Sequence, residues 1–288
     1  MGSTILVTGA TGTVGSFLVR KLGAAGVRAR ALVRSRDKAE AVESLGLEAA
    51  VGDLDKPLTL APALAGVERV FLLSAPEERQ AELQNNLVRA ARDAGVRHVV
   101  KLSAIGVGGE LDAISLGRVH RETEEEIERA GFAYTHLRPN GFMQNSFMFA
   151  PSIKSQGAFY APYGDAEVSY VDARDVASVA FHALTEDGHE GKAYEITGPQ
   201  SLSYHDLARE LSAALGREVR YVEVPIEAAR AAMVGSGMQE WTADTLVELF
   251  DFYRDGRADR VRDTVREVTG RDPITFAQFA RDHAQAFQ

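Results

Sequence analysis

The stretch ILVTGATGTVGSFLVRKLGAAG, residues 5–26, limits what this chain can fold into more than any other. A short apolar run breaks into glycines at positions 9, 12 and 15, and apolar residues then resume at helical spacing. A glycine turn between a buried strand and a helix gathers free backbone N–H groups and the positive helix end at one point, which suits a pyrophosphate. The three glycines have separable duties: Gly9 permits the tight turn, Gly12 lets the backbone approach phosphate, and Gly15 allows close packing of the helix. A glycine turn without a ligand is the other reading; the strand before it and the helix after it favour the dinucleotide.

Beyond residue 26 the chain keeps the rhythm of a parallel sheet covered by helices on both faces. Strands are expected at Ile5–Val7, Ala29–Val33, Glu48–Val51, Arg69–Leu73, His98–Leu102 and Tyr134–Leu137. Helices are expected over Glu77–Ala94, with Leu83, Leu87, Ala91 and Ala94 on one face, and near Leu116–Ala130, with Leu116, Val119, Thr123, Ile127 and Ala130 on one face. After Pro139 the regularity loosens into NGFMQNSFMFAPSIKSQGAFYAPYGD, rich in aromatics, Met, Asn and Gly, which reads as the start of a lobe over the sheet. A helix capped by Asp172 and a strand in KAYEITG return the chain to the sheet, and the last third is mainly helical. The fold class is therefore α/β, a Rossmann-type doubly wound parallel sheet with a smaller, mainly helical substrate lobe. Residues 1–141 and 174–197 are assigned to the nucleotide-binding domain, and 142–173 and 198–288 to the lobe.

The end of the second strand decides which dinucleotide is expected. An acidic residue about 20 residues beyond the glycine turn would hold a ribose 2′-hydroxyl. This chain has Arg34 there, with Arg36 and Lys38 close by, and a guanidinium pairs with a 2′-phosphate. NADP(H) is thus the preferred cofactor, with NAD(H) possible; a solvent-facing basic turn is the alternative. Asp53 and Leu54, after the third strand, sit where a side chain and backbone could meet the adenine.

Other partners are expected to be absent. The formal charge of −9 with no basic cluster argues against nucleic acid, and no apolar run approaches the ~20 residues that span a bilayer. There is no cysteine, so thiolate metal sites and thiol nucleophiles are out, and the histidines at 98, 136, 182, 189, 205 and 283 show no metal-ligand spacing. The first strand begins almost at the N-terminus, leaving no room for a leader, so a soluble cytoplasmic protein, monomer or homodimer, is expected.

The spaced set TGATGTVG (8–15), VGDLDKP (51–57), LLSAP (72–76), KLSAIG (101–106) and HLRPNGFMQN (136–145), with GREVRYVEVP (216–225) and GRDPITFAQFARDHAQAF (270–287), resembles the NmrA-like branch of atypical short-chain dehydrogenases. That branch includes NAD(P)H quinone oxidoreductases and triphenylmethane-dye or azo reductases. The resemblance implies a sheet ordered 3-2-1-4-5-6-7 with cofactor over the carboxyl ends of its strands. It implies a phosphate loop of Thr8, Gly9, Thr11, Gly12, Thr13, Val14 and Gly15, a 2′-phosphate site at Arg34, and adenine contacts at Asp53 and Leu54. Ser74, Ala75, Ser103 and Pro139 fall at strand ends beside the expected path of the nicotinamide and its ribose.

One departure matters. Ordinary short-chain dehydrogenases carry Tyr and Lys four residues apart on a helix, the Lys lowering the Tyr pKa so that it can protonate a carbonyl oxygen. Here the helix reads LGRVH, giving Leu116 and His120. The phenol is missing, His120 takes the Lys-like position, and Glu124 one turn on could share a hydrogen bond with it and set its tautomer. Ser103 and His120 are the catalytic candidates: Ser103 reads as a hydrogen bond to substrate or ribose, or as a helix or turn cap; His120 reads as cofactor-facing or as a satisfied helix histidine, with direct acid catalysis ranked below both. Within the aromatic stretch, Phe142, Met143, Tyr160 and Tyr163 are candidates for a flat apolar pocket, Asn140 for a polar contact and Trp241 for its closure from the lobe.

A planar, electron-poor acceptor such as a quinone or conjugated dye delocalises an arriving hydride and so tolerates the loss of the acid. The function expected is an NADPH-dependent oxidoreductase of such a small aromatic molecule. Two alternatives stay open: a non-catalytic NADP(H)-binding sensor of the NmrA type, and a reductase of a specialised imine or ketone.

Overall fold

The computed structural model describes residues 4–44 and 47–288. Its strands are β1 (Thr4–Val7), β2 (Ala29–Val33), β3 (Glu48–Val51), β4 (Val67–Leu72), β5 (His98–Leu102), β6 (Ala133–Pro139), β7 (Ala158–Ala161), β8 (Lys192–Ile196) and β9 (Arg220–Glu223). Seven of them form one sheet in the order β3-β2-β1-β4-β5-β6-β8, as the resemblance implies, and β7 pairs with β9 apart from it. Pairing is parallel from β3 through β6, with Ile5 opposite Ala29 and Arg69, and Val100 opposite Phe71 and Thr135. The order reverses beside β1, and an open sheet of this kind receives ligands outside the carboxyl ends of its strands at that switch point.

The helices follow from the spacing of apolar residues. Helix α1 (Thr13–Ala24) buries Val14, Leu18, Val19 and Leu22, and α2 (Arg36–Glu43) follows β2. Helix α3 (Leu60–Leu64) precedes β4; α4 (Gln80–Asp93) buries Leu83, Leu87, Val88 and Ala91; α5 (Ser115–Arg129) buries Thr123 and Ile127. Leu6, Leu60, Leu64, Val70, Leu72, Leu87, Val88, Val99 and Ile127 meet in one apolar cluster. Helix α4 is shorter than the sequence predicts: a turn closed by Gln80 N donating to Glu77 O at 3.0 Å precedes it, the helix starts at Gln80, and Ala94 is exposed. It also buries Gln80, Gln84 and Asn85, positions the pattern does not mark as core.

The chain divides into two compact units, Met1–Asp112 with Gly117–Arg138 and Val176–Glu195, and Ala113–Leu116 with Pro139–Asp175 and Ile196–Gln288. Helix α6 (Ala150–Gln156) lies in the second, and α7 (Ala173–Thr185) crosses the division. Asp172 caps α7 as expected, its Oδ1 accepting from Arg174 N at 2.8 Å. Helices α8 (Tyr204–Leu215), α9 (Ile226–Gly235), α10 (Glu240–Arg254), α11 (Thr264–Thr269), α12 (Phe276–Asp282) and α13 (Ala284–Phe287) account for most of the last third. The β7/β9 ribbon, with Ala158 opposite Arg220 and Ala161 opposite Glu223, is a strand pair that the sequence pattern does not mark. Among the described residues no helix is long and apolar enough to cross a membrane.

Candidate active site

The glycine turn is built as its spacing demands. Gly9 sits at φ +60, where a side chain is strained, and a Cβ there would lie 2.9 Å from Leu73 Cγ. A Cβ on Gly15 would stand 2.1 Å from Gly9 O, so α1 presses against the turn with no room for a methyl. Gly12 adopts extended backbone at the N-cap, α1 has no capping side chain and no acid in its first turn, and Thr11, Gly12 and Thr13 are exposed while Val14 is buried. Orphan N–H groups and the positive dipole end are left facing outward, an anion site made of backbone. Thr8 serves the loop itself: its Oγ1 accepts from Leu73 N at 2.7 Å and donates to Leu73 O at 2.7 Å, tying the ends of β1 and β4 together. Gly15→Ala is expected to destabilise the fold by about 1–3 kcal/mol through overpacking and to weaken NADPH binding. A thermal midpoint and a dissociation constant equal to the parent's would contradict that packing.

Arg34 leaves the end of β2 exposed, and no acidic partner engages it, Arg36 or Lys38 among the described residues. Asp37 lies between Arg36 and Lys38 in the first turn of α2, yet no ion pair to the three cations is formed among the described residues, and cations so placed suit an extra phosphate. The Asp53–Leu54 turn is fixed from within: Asp53 N donates to Thr59 Oγ1 at 2.9 Å, Asp53 Oδ1 accepts from Asp55 N, and Leu54 O accepts from Asn86 Nδ2 at 3.0 Å. At the end of β4, Ser74 Oγ accepts from Gln84 Nε2 at 2.9 Å, and Ala75 is exposed.

At the carboxyl end of β5 the Ser103 hydroxyl is buried beside Glu124, whose carboxylate it helps to hold down, and it keeps capacity to meet a further group. Two residues earlier, Lys101 is wholly buried. Its Nζ lies 2.8 Å from His120 Nδ1 and donates to Leu102 O at 3.1 Å. Burial pushes Lys101 down to about 7, with Glu124 holding it up and Arg138 opposing. Burial, then the Lys101 charge, drives His120 well below its ordinary value. The ring is therefore neutral; with Nδ1 accepting from lysine, its proton is on Nε2.

Glu124 does not pair with His120, contrary to the i, i+4 expectation. Arg138 takes both of its oxygens in a fork, Nε to Oε1 at 3.1 Å and Nη2 to Oε2 at 2.6 Å, because a planar guanidinium matches a carboxylate bidentately. Burial pushes Glu124 up, but that fork and the nearby His136 prevail and hold it below the usual carboxylate range. Glu124, Glu128 and His136 bring a ligand atom each within 4.8 Å of one another, a grouping that the histidine spacing does not reveal. Because Arg138 holds both oxygens of Glu124, the cluster reads as an ion-pair network.

The residues expected to line a substrate pocket lie in the second unit. Pro139 and Met143 are buried. Asn140 spends its amide within the unit, donating to Ser169 Oγ and Ala258 O at 2.8 Å each and accepting from Gly141 N at 2.9 Å. Phe142 is half-buried, and its backbone bridges Val171. Tyr163 is buried, its ring stacked on Tyr204 at 4.1 Å, and burial raises its pKa well above the ordinary value. Tyr160 is exposed and donates to Gln156 Oε1 at 2.7 Å; Trp241, on α10, is half-buried.

The model of the NmrA-like family matches residues 1–270. This chain belongs to the NmrA-like family. It is 44% identical over 283 residues to the NAD(P)H azoreductase of Xenophilus azovorans, covering 98% of this chain and 99% of that protein. Among solved structures it is similar to the NADPH-dependent quinone oxidoreductase QOR2 of Escherichia coli complexed with NADPH, with TM-score 0.88 and 28% identity over 98% of this chain and 99% of that one. It is also similar to the triphenylmethane reductase of Citrobacter sp. complexed with NADP(H), with TM-score 0.85 and 29% identity over 97% of this chain and 99% of that one.

On α5 the residue one turn before His120 is Leu116, not a phenol. The residue that sequence reasoning passes over is Lys101. Its signal is present in HVVKL, a single charge in a strand that a parallel sheet covers on both faces.

Proposed function

We propose that this chain is an NADPH-dependent reductase that transfers a hydride to a planar, electron-poor acceptor, a quinone or a conjugated azo or triphenylmethane dye. The observation that carries this reading is an uncapped helix end behind a glycine turn, with Arg34 exposed at the end of the neighbouring strand, without an acidic partner among the described residues, and no phenol at position 116. The pyrophosphate lies on the N–H groups of residues 11–15, and Arg34 selects the 2′-phosphate. The Ser103 hydroxyl, buried beside Glu124, orients the nicotinamide ribose or the acceptor. Bound NADPH supplies the hydride. Phe142, Met143, Tyr160, Tyr163 and Trp241 are offered as the acceptor-facing set, with Asn140 holding its backbone. A delocalised acceptor spreads the arriving negative charge, so its proton can come from a group other than a phenol on α5, which fits the leucine at position 116.

Arg34→Ala is expected to weaken NADPH about 10–100-fold, the worth of a charge-assisted hydrogen bond, and NADH by about twofold or less. Dissociation constants from titration of protein fluorescence check this. Equal losses for the two nucleotides would remove Arg34 from the 2′-phosphate. Turnover of menadione, an azo dye and crystal violet by the parent protein tests the reaction, and tight NADPH binding with silence on all three would overturn it.

A further inference from the structure

A quinone or an azo bond that accepts a hydride must also accept a proton, and no phenol stands where one is usually supplied. We propose that Lys101 is the proton reservoir of the reaction, passing a proton through the His120 ring to the reduced acceptor. The inference rests on the reductase reading above and names a residue with no other evident task. Lysine is among the costliest side chains to bury, and Lys101 has no exposure at all. Among the described residues no carboxylate touches its ammonium. It reaches one backbone carbonyl and one imidazole nitrogen instead.

The groups that face it fix its charge. From α5 come the neutral His120 and, one turn on, the ionised Glu124; from β6 come Arg138, which neutralises Glu124, and His136, which feels the Lys101 charge. Glu124 steadies the ammonium, while burial and Arg138 loosen its proton, so Lys101 titrates near neutrality where both of its forms are populated. A lysine meant only to fill space would not need an imidazole at 2.8 Å.

The step balances on these atoms. The hydride adds to one nitrogen of an azo bond, and the other nitrogen takes the proton of His120 Nε2. As that N–H bond breaks, Nδ1 takes a proton from Lys101 Nζ, leaving a neutral amine and an imidazole in its other tautomer. Solvent returns one proton before the next cycle. For a quinone the receiving atom is the oxygen of the hydroquinone anion. A cationic triarylmethyl dye needs no proton at all, because hydride addition to its central carbon gives the neutral product.

That difference supplies the test. Lys101→Met and Lys101→Gln are expected to lower kcat for an azo dye by about 100-fold, the scale of a positioned acid, and for crystal violet by about threefold or less. In the parent, the azo rate falls as pH rises through neutrality, while crystal violet reduction stays flat. Independently of turnover, 15N spectra of the nucleotide-free protein are expected to show His120 protonated on Nε2 alone, and in Lys101→Met its titration moves to higher pH once the neighbouring charge is gone. Equal loss on both acceptors, or an azo rate in the parent without pH dependence, overturns the relay. The parent measurements stand if the variants do not fold, and failure of the parent on every acceptor, crystal violet included, strikes the reductase reading instead.

Discussion

Glu124→Ala is expected to lower the unfolding free energy by about 3–5 kcal/mol, the cost of breaking a buried ion pair by removing one partner. Glu124 is wholly buried and receives the Arg138 fork, with Arg121 Nη1 3.7 Å from it. Without it the Arg138 guanidinium keeps only the weaker pull of Glu195 and Glu128, and Lys101 loses the charge that holds its ammonium up. The thermal midpoint should drop on the order of 10 °C for a unit of this size. Glu124→Leu combined with Arg138→Leu should be more stable than either single change, since the pair is removed as a pair and apolar volume replaces it. Additive losses in that double variant would mean that the fork contributes nothing to the fold.

The same network marks the limit of what the sequence discloses. The glycine turn is legible because its parts are adjacent in sequence: Gly9 needs φ +60 and Gly15 needs contact with Gly9 O, and both arise from one strand, one turn and one helix. The sheet order and most strand bounds are legible for a similar reason, the alternation of apolar runs with helical ones. His120 and Glu124 share a helix face, which spacing predicts, yet their partners come from strands, Lys101 19 residues before the histidine and Arg138 14 residues after the glutamate. Periodicity carries no information about which strand residue a helix meets. Asn140 makes the point again: its amide reaches Ala258 O across 118 residues, and nothing near position 140 announces that distant segment. The β7/β9 ribbon escapes notice because each strand is four residues long and flanked by helices.

Stability is expected to fall steeply as the solution is acidified from pH 6.5 toward 4, and His98 shows why. Its Nε2 lies 2.9 Å from Thr135 Oγ1, whose own proton goes to His189 O at 2.7 Å, so Nε2 must be the donor and the ring is neutral. Nδ1 is buried without a partner; a proton placed there would be a charge with no acceptor. Burial first, then Arg69, pushes the pKa down to about 4. The folded chain thus binds this proton more weakly than the unfolded chain, whose histidine titrates near 6.5. Unfolding takes up a proton throughout that window, and His98 alone removes about 3 kcal/mol across it. Asp175 opposes: burial raises it to about 6, so between pH 6 and 3.8 it takes up its proton in the folded chain and returns about 3 kcal/mol. His120, His136 and His189 are all lowered, chiefly by burial, and Glu124 is lowered by its arginine, so these four decide the sign toward instability in acid. Urea unfolding across this range checks the slope. His98→Gln, whose amide can still donate to Thr135, should flatten it by about 1.4 kcal/mol per pH unit. An unchanged slope in that variant would mean that His98 takes up its proton in the folded chain as readily as in the unfolded one.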